Sequence, residues 1–158
     1  MTVTTKITMP VRSFRRIENP FEKDGKHMYL AVVKACDLAS EFEEWREINP
    51  RDPKTTSGVA QKIASTLRED PESFFFKNRG ITLLVKNATF DNESNGLAVE
   101  LTDRSIHGLL DGGHTFAVIR EAFDSLTEEE KAASIMNEAY VKLEILEGFP
   151  SRSEAVEI

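Results

Sequence analysis

Apolar positions recur along this chain with two different periods, and the period changes from segment to segment. Residues 140–146, "YVKLEIL", alternate apolar and polar side chains from Val141 to Ile145, the mark of a half-buried strand. Residues 28–38, "MYLAVVKACDL", are rich in β-branched and apolar side chains and predict the first strong strand. "GITLLV" at 80–85 predicts another. The polar run "DNESNG" at 91–96 is a hairpin loop leading into a strand at 97–102, "LAVELT", and "HGLLDG" at 107–112 reads as one more short strand.

Elsewhere the spacing is helical. "VAQKIASTLRE" at 59–69 places Val59, Ile63, Thr66 and Leu67 on one face, and "HTFAVIREAF" at 114–123 does the same with Phe116, Ile119 and Phe123. "SLTEEEKAASIMNEA" at 125–139 predicts a further helix, with Thr127 as N-cap and Glu130 three residues on as a capping box. "EFEEWREI" at 41–48 predicts a short helix closed by Pro50. "ENPFEKDGKH" at 18–27 and "NPRDPKTTSG" at 49–58 are loops by their Pro, Gly and charge content, and "DPESFF" breaks the helix before it. "SRSEAVEI" at 151–158 reads as the first turns of a helix, capped by Ser151 or Ser153, that runs on in a longer parent protein.

Helices alternating with strands define an α/β or α+β chain, of which α+β is the expectation taken forward. Residues 1–27 form an N-terminal extension, 28–150 a single domain and 151–158 the start of that last helix. The 158 residues can bury a substantial core. A composition 40% hydrophobic and 30% charged belongs to a globular protein. No apolar run approaches membrane-helix length, and "MTVTTKITMPVRSFRR" lacks the apolar centre of a secretory signal. The expectation is a protein without a membrane partner. The single cysteine, Cys36, fits the cytoplasm. With 20 basic and 27 acidic residues the net charge is −7, which argues against a surface that coats DNA at large but not against a local basic patch.

The sharpest local signal is "LLDGGHT" at 109–115. A strand running through a glycine pair straight into a helix gathers free backbone N–H groups at the positive end of the helix dipole, and glycines let an anion approach the backbone. His114 and Thr115 add side-chain donors. Asp111 can orient His114, cap the helix, or bind a metal or a ribose hydroxyl. A plain tight turn is the competing account. Upstream, "INPR" offers Arg51, and "FFFKNRG" puts Lys77, Asn78 and Arg79 directly before a strand. The arginines carry forked donors suited to phosphate, and Asn78 can bond a base edge or a sugar.

"FFFKNRGIT" followed by "GLLDGGHTFAVI" resembles the abortive-infection phage-resistance (AIPR) family, over roughly residues 29–158. The turn is also similar to that of DGQHR-domain proteins associated with DNA phosphorothioation. More distantly, "NPR", a helix, a strand and a glycine turn opening a helix resemble the ParB/sulfiredoxin superfamily. The resemblance implies a ParB/sulfiredoxin-like mixed sheet with packed helices, and a chain that continues beyond residue 158. It also implies that Asp111, Gly112, Gly113, His114 and Thr115 lie where that superfamily binds nucleotide phosphate, with Arg51 at the rim and Asn78 and Arg79 alongside. Two departures are visible. Gly113 stands where sulfiredoxins carry their cysteine, so their thiol–phosphoryl chemistry is not available here. Thr115 stands where ParB-type and DGQHR turns carry a basic residue.

Three functions follow as expectations. The first is a nucleotide- or nucleic-acid-binding domain of an AIPR-like phage-defence protein, its cofactor a nucleotide, with or without Mg²⁺. The second is a nucleotide hydrolase or nuclease with His114 and Asp111 as the catalytic acid–base pair, with Asp103 and Asp111 as a further carboxylate pair for Mg²⁺. The third is an interaction module whose acidic runs at 41–44 and 128–130 meet a protein partner or a second copy. No Cys/His grouping has zinc spacing. Phe74–Phe76 form either a base-stacking platform or part of the core. His107 is structural or exposed, His27 a solvent residue, Cys36 a buried thiol, and Trp45 a partly buried helix residue or an interface one.

Overall fold

The computed structural model describes residues 3–21, 25–49 and 57–155. Its centre is the alternating segment read above as a strand: β8 (Tyr140–Glu147) sends Val141, Leu143 and Ile145 to one side. Seven more strands precede it among the described residues: β1 (Thr5–Pro10), β2 (Ser13–Ile17), β3 (His27–Lys34), β4 (Ile81–Val85), β5 (Asn87–Asp91), β6 (Gly96–Leu101) and β7 (Gly108–Asp111). They make a three-stranded sheet in the order β1-β6-β5 and a five-stranded sheet in the order β2-β3-β8-β4-β7. Every pairing is antiparallel except β4 with β8, which run parallel side by side. The larger sheet is therefore mixed, and with its packed helices the chain is a single α+β domain.

The N-terminal 27 residues, which hydrophobic patterning leaves without structure, supply a strand to each sheet. β1 buries Ile7 and Met9 against β6, and β2 forms the exposed edge beside β3. β2 escapes a pattern reading because its sequence, "SFRRI", is the charged sequence of an edge strand. Phe14 of β2 stacks on Tyr29 of its own sheet at 5.0 Å and on Phe90 of β5 at 5.1 Å, and Glu147 accepts the Ala88 amide at 2.8 Å; the Phe14–Phe90 and Glu147–Ala88 contacts hold one sheet to the other.

Two helices of 12 residues each form the helical layer, the second packed against the larger sheet and the first packed on the second. α1 (Gly58–Glu69) starts where Ser57 Oγ accepts the Ala60 amide at 3.1 Å, and it buries Ala60 and Leu67. Val59, placed by spacing on that buried face, is 59% exposed. After the single-turn α2 (Phe74–Lys77) and the strands comes α3 (Gly113–Asp124), which buries Phe116, Ile119 and Phe123 against the sheet. Their side chains and the inward residues of both sheets form one core. On the far face, Leu84, Leu110 and Leu146 pack with Ile48, Phe149 and Ala155.

The remaining corrections are local. The strand expected through residue 38 ends at Lys34 and passes into a 3-10 turn, Ala35–Asp37; residues 41–48 hold only the 3-10 turn Ser40–Glu44. The helix expected over 125–139 is α4 (Glu128–Ala133) followed by a 3-10 turn, Ile135–Glu138. Its capping box forms as expected, with Thr127 Oγ1 on the Glu130 amide at 3.1 Å and Glu130 on the Thr127 amide at 3.0 Å. The helix stops because Ser134 accepts the Met136 amide and Asn137 donates to the Lys131 carbonyl, satisfying backbone groups outside a helix. The C-terminal helix start appears as a 3-10 turn, Arg152–Glu154. His27 begins β3 rather than lying in solvent, its Nδ1 3.0 Å from the Arg16 guanidinium.

Candidate functional site

β4 begins and β7 ends at the same edge of the larger sheet, where Thr82 pairs with Asp111. That pairing brings the two chemically distinctive segments of the sequence together. Asn78 Oδ1 accepts the Gly80 amide at 2.8 Å, and Asn78 Nδ2 donates to Thr115 Oγ1 at 3.0 Å. One carboxamide thus ties the approach to β4 to the first turn of α3. Thr115 is 5% exposed, so its hydroxyl serves this internal link.

Gly112 makes the turn. Its φ of +87° lies in the left-handed region, and a Cβ there would fall 2.5 Å from the Gly80 carbonyl oxygen. Gly80 is constrained likewise, at φ +89° with the Lys142 carbonyl 2.4 Å from where its Cβ would be. The glycine backbones of two strands are pressed together, which a plain loop would not need. Beyond them α3 opens: the Phe116 amide bonds the Gly112 carbonyl at 2.9 Å, and the amides of Gly113, His114 and Thr115 have no acceptor among the described residues.

The residues carrying these amides line a cavity of about 390 Å³ together with Asn49, Val59, Ile63, Lys77, Asn78, Arg79, Gly80, Asp111 and Gly112. Asp111, Gly112, Gly113, His114, Thr115, Lys77, Asn78 and Arg79, all picked out in the sequence, lie here, and Arg51 falls outside the described residues. Gly80, Asn49, Val59 and Ile63 are the additions. Only Gly80 carried a signal, its place in "KNRG". The Arg79 guanidinium and the His114 ring have no hydrogen-bond or ion-pair partner among the described residues, whereas Lys77 pairs with Asp70 at 3.3 Å. The bond from the Ser73 hydroxyl, and then Lys77, hold the Asp70 carboxyl below its usual range.

Some expected pairings are not made. Asp111 Oδ1 accepts the Gly112 amide at 2.8 Å, and no hydrogen bond joins it to His114, so the acid–base couple is not assembled. Asp103 is not in the cavity; Ser105 bonds its carboxylate and keeps it below the usual carboxylate range. Among the described residues no three His, Cys, Asp or Glu side chains gather as metal ligands.

The other candidates lie apart. Phe74 is core, while Phe76 is 83% exposed outside the cavity with Phe75 at its edge. Trp45 is buried, its ring covered by Arg104 at 4.8 Å. His107 is 8% exposed, its Nδ1 accepting the Thr102 amide at 3.1 Å, and burial pushes its pKa below the ordinary value. Burial pushes the Cys36 thiol up.

The fold and the cavity together describe an α+β domain in which a glycine-built helix turn lines a cavity beside Lys77 and Arg79. Among known families, the chain matches the one described as AIPR protein over residues 47–158. The chain belongs to that family, and with it to proteins associated with phage defence by abortive infection. No curated protein and no solved structure matches it significantly. Among the described residues no helix is long and apolar enough to cross a membrane.

Proposed function

We propose that this AIPR domain binds the phosphate of a nucleotide or nucleic acid at the α3 turn. The observation that carries the reading is the set of three α3 amides without acceptors, opening into a cavity edged by Arg79, Lys77 and His114. Amides at a helix N-terminus favour an anion through both hydrogen bonds and the helix dipole. Arg79 adds a forked donor that fits phosphate oxygens. The Gly112–Gly80 contact and the Asn78–Thr115 bonds fix the geometry, so little ordering is left for the ligand to impose. Asp111 is positioned to accept from a ligand hydroxyl or amine on the same rim.

Titration of the ¹⁵N-labelled chain with inorganic phosphate, nucleoside monophosphates and short DNA or RNA tests this directly. The amide signals of Gly113, His114 and Thr115 move together and saturate, and Arg79→Ala weakens binding by about tenfold or more, the worth of one hydrogen bond to a charged group. Signals that stay in place with every one of these ligands refute the proposal.

A further inference from the structure

The larger sheet has two faces, and they are covered unequally. On the core side Phe14, Ala31, Leu143 and Ile81 form one row across β2, β3, β8 and β4. On the far side Phe149 and Ala155 pack over Leu146 and Leu84, at β8 and β4. The half of that face built by β2 and β3 is left open: Leu30 is 43% exposed and Ile17 37%.

An exposed leucine alone means little. Its neighbours give it meaning. Residues paired across strands share a face, so Arg15, Leu30 and Glu144 make one row on the far side of β2, β3 and β8. With strands about 4.8 Å apart, the cation and the anion start from backbones about 10 Å apart, with the leucine midway. Neither Arg15 nor Glu144 has a hydrogen-bond or ion-pair partner among the described residues. The adjoining rows are Ile17–Met28–Leu146, apolar throughout, and Ser13–Val32–Lys142. The apolar row borders a hollow of about 240 Å³ that Phe149 also lines.

This pattern is self-complementary about one axis. A two-fold axis along β3, lying between two facing sheets, exchanges the β2 side of one copy with the β8 side of the other. Arg15 of each copy then lies over Glu144 of its partner, and Leu30 over Leu30. Ile17 points toward the hollow beside the partner's Leu146. Lys142 falls over Ser13, so no like charges meet. A two-fold axis across the strands sets Arg15 over Arg15 and Glu144 over Glu144, a repulsive arrangement. Pairing β2 edge to edge with its own copy, centred on Arg15, also puts arginine against arginine.

We propose that the far face of the larger sheet is a homodimer interface, in which a second copy of this chain packs Leu30 on Leu30 and the Arg15–Glu144 pair forms twice. None of these residues lines the cavity at the α3 turn, so the dimer is independent of the phosphate reading.

Sedimentation equilibrium of the 158-residue chain measures the dimer dissociation constant in wild type, Arg15→Glu, Glu144→Arg and the double exchange of both. Neither side chain bonds anything among the described residues, so the variants fold, which circular dichroism checks. Each single reversal sets two pairs of like charges face to face and weakens association by about tenfold or more. The double exchange restores both attractions and returns the constant to within about threefold of wild type. A wild-type chain that stays monomeric to about 1 mM overturns the proposal, the result expected if this face meets a different protein. A dimer indifferent to the single reversals overturns it too, because its contact lies elsewhere. So does a dimer that the single reversals break and the double exchange does not mend.

Discussion

Replacing Gly112 by alanine adds one methyl group at the point where the two sheet strands and α3 converge. Two costs arise. The residue sits at φ +87°, where an L side chain loses about 1–2 kcal/mol relative to glycine. The new Cβ also lies 2.5 Å from the Gly80 carbonyl oxygen and 2.8 Å from the Ile81 Cα. Both obstacles are backbone, held by the Asn78–Gly80 bond and by the pairing of β4 with β8, so neither can rotate aside. Forcing a methyl into such a space costs a further 1–3 kcal/mol or so. The sum is about 2–5 kcal/mol, and at about 2–4 °C per kcal/mol for a domain of this size the melting temperature falls by roughly 5–20 °C. Gly58→Ala is the matched control. It makes the same chemical change at the start of α1, with nothing within 4 Å of the new Cβ, and it raises stability by about 0.4–1 kcal/mol. Gly112→Asn separates the two costs, because asparagine tolerates left-handed backbone but brings the same Cβ; it recovers only the conformational share. Thermal unfolding followed by circular dichroism reads all four proteins. A Gly112→Ala melting point within roughly 2 °C of wild type refutes the close approach on which the shape of the site depends.

Two further outcomes follow from other parts of the fold. His107 is held neutral by burial and accepts backbone amides at Nδ1, so its folded pKa lies below the ordinary 6.5 and the unfolded chain binds more protons in the window beneath that value. Its contribution to stability is complete above pH 6.5 and is lost as pH falls through the folded value; an NMR titration placing the ring at or above 6.5 contradicts this. Thr127→Ala removes one half of the capping box of α4 and lowers the melting temperature by about 2–4 °C, whereas Thr127→Ser, which keeps the acceptor oxygen, leaves it nearly unchanged. Equal losses in the two variants would show that the methyl group, not the cap, matters.

Where burial alternates, throughout β6 and as far as Ile145 in β8, the element was legible to within a residue or two. The same holds where a cap marks the boundary, as at Thr127. The misses share a cause: their stability comes from a partner distant in sequence. β1 and β2 exist because β6 and β3 offer them edges, 96 and 19 residues away at Thr5↔Leu101 and Ser13↔Val32. Nothing local in "SFRRI" announces that. The long helix expected after Thr127 fails for the opposite reason. Apolar spacing through "AASIMNEA" continues, yet Ser134 and Asn137 bond backbone groups locally and win over it.

The site divides along the same line. The glycine pair and "KNRG" were visible as unusual segments, with Gly80 and Gly112 32 positions apart, but what joins them is one carboxamide. Asn78 read as a ligand donor because its chemistry allows that. In the fold its oxygen and nitrogen are engaged by Gly80 and Thr115. Its service to a ligand is therefore indirect: it sets the spacing between the start of β4 and the α3 amides. The glycine pair likewise separates into two functions. Gly112 is required by backbone geometry and by the Gly80 carbonyl against it; Gly113, buried in the first turn of α3, is one of the three amides that open to the cavity. The residues left to meet an anion with their side chains are Arg79, Lys77 and His114, and of these only the first has a forked donor without a partner among the described residues. Loss of affinity in Arg79→Ala with an unchanged melting point, beside loss of stability in Gly112→Ala, is the contrast this division demands.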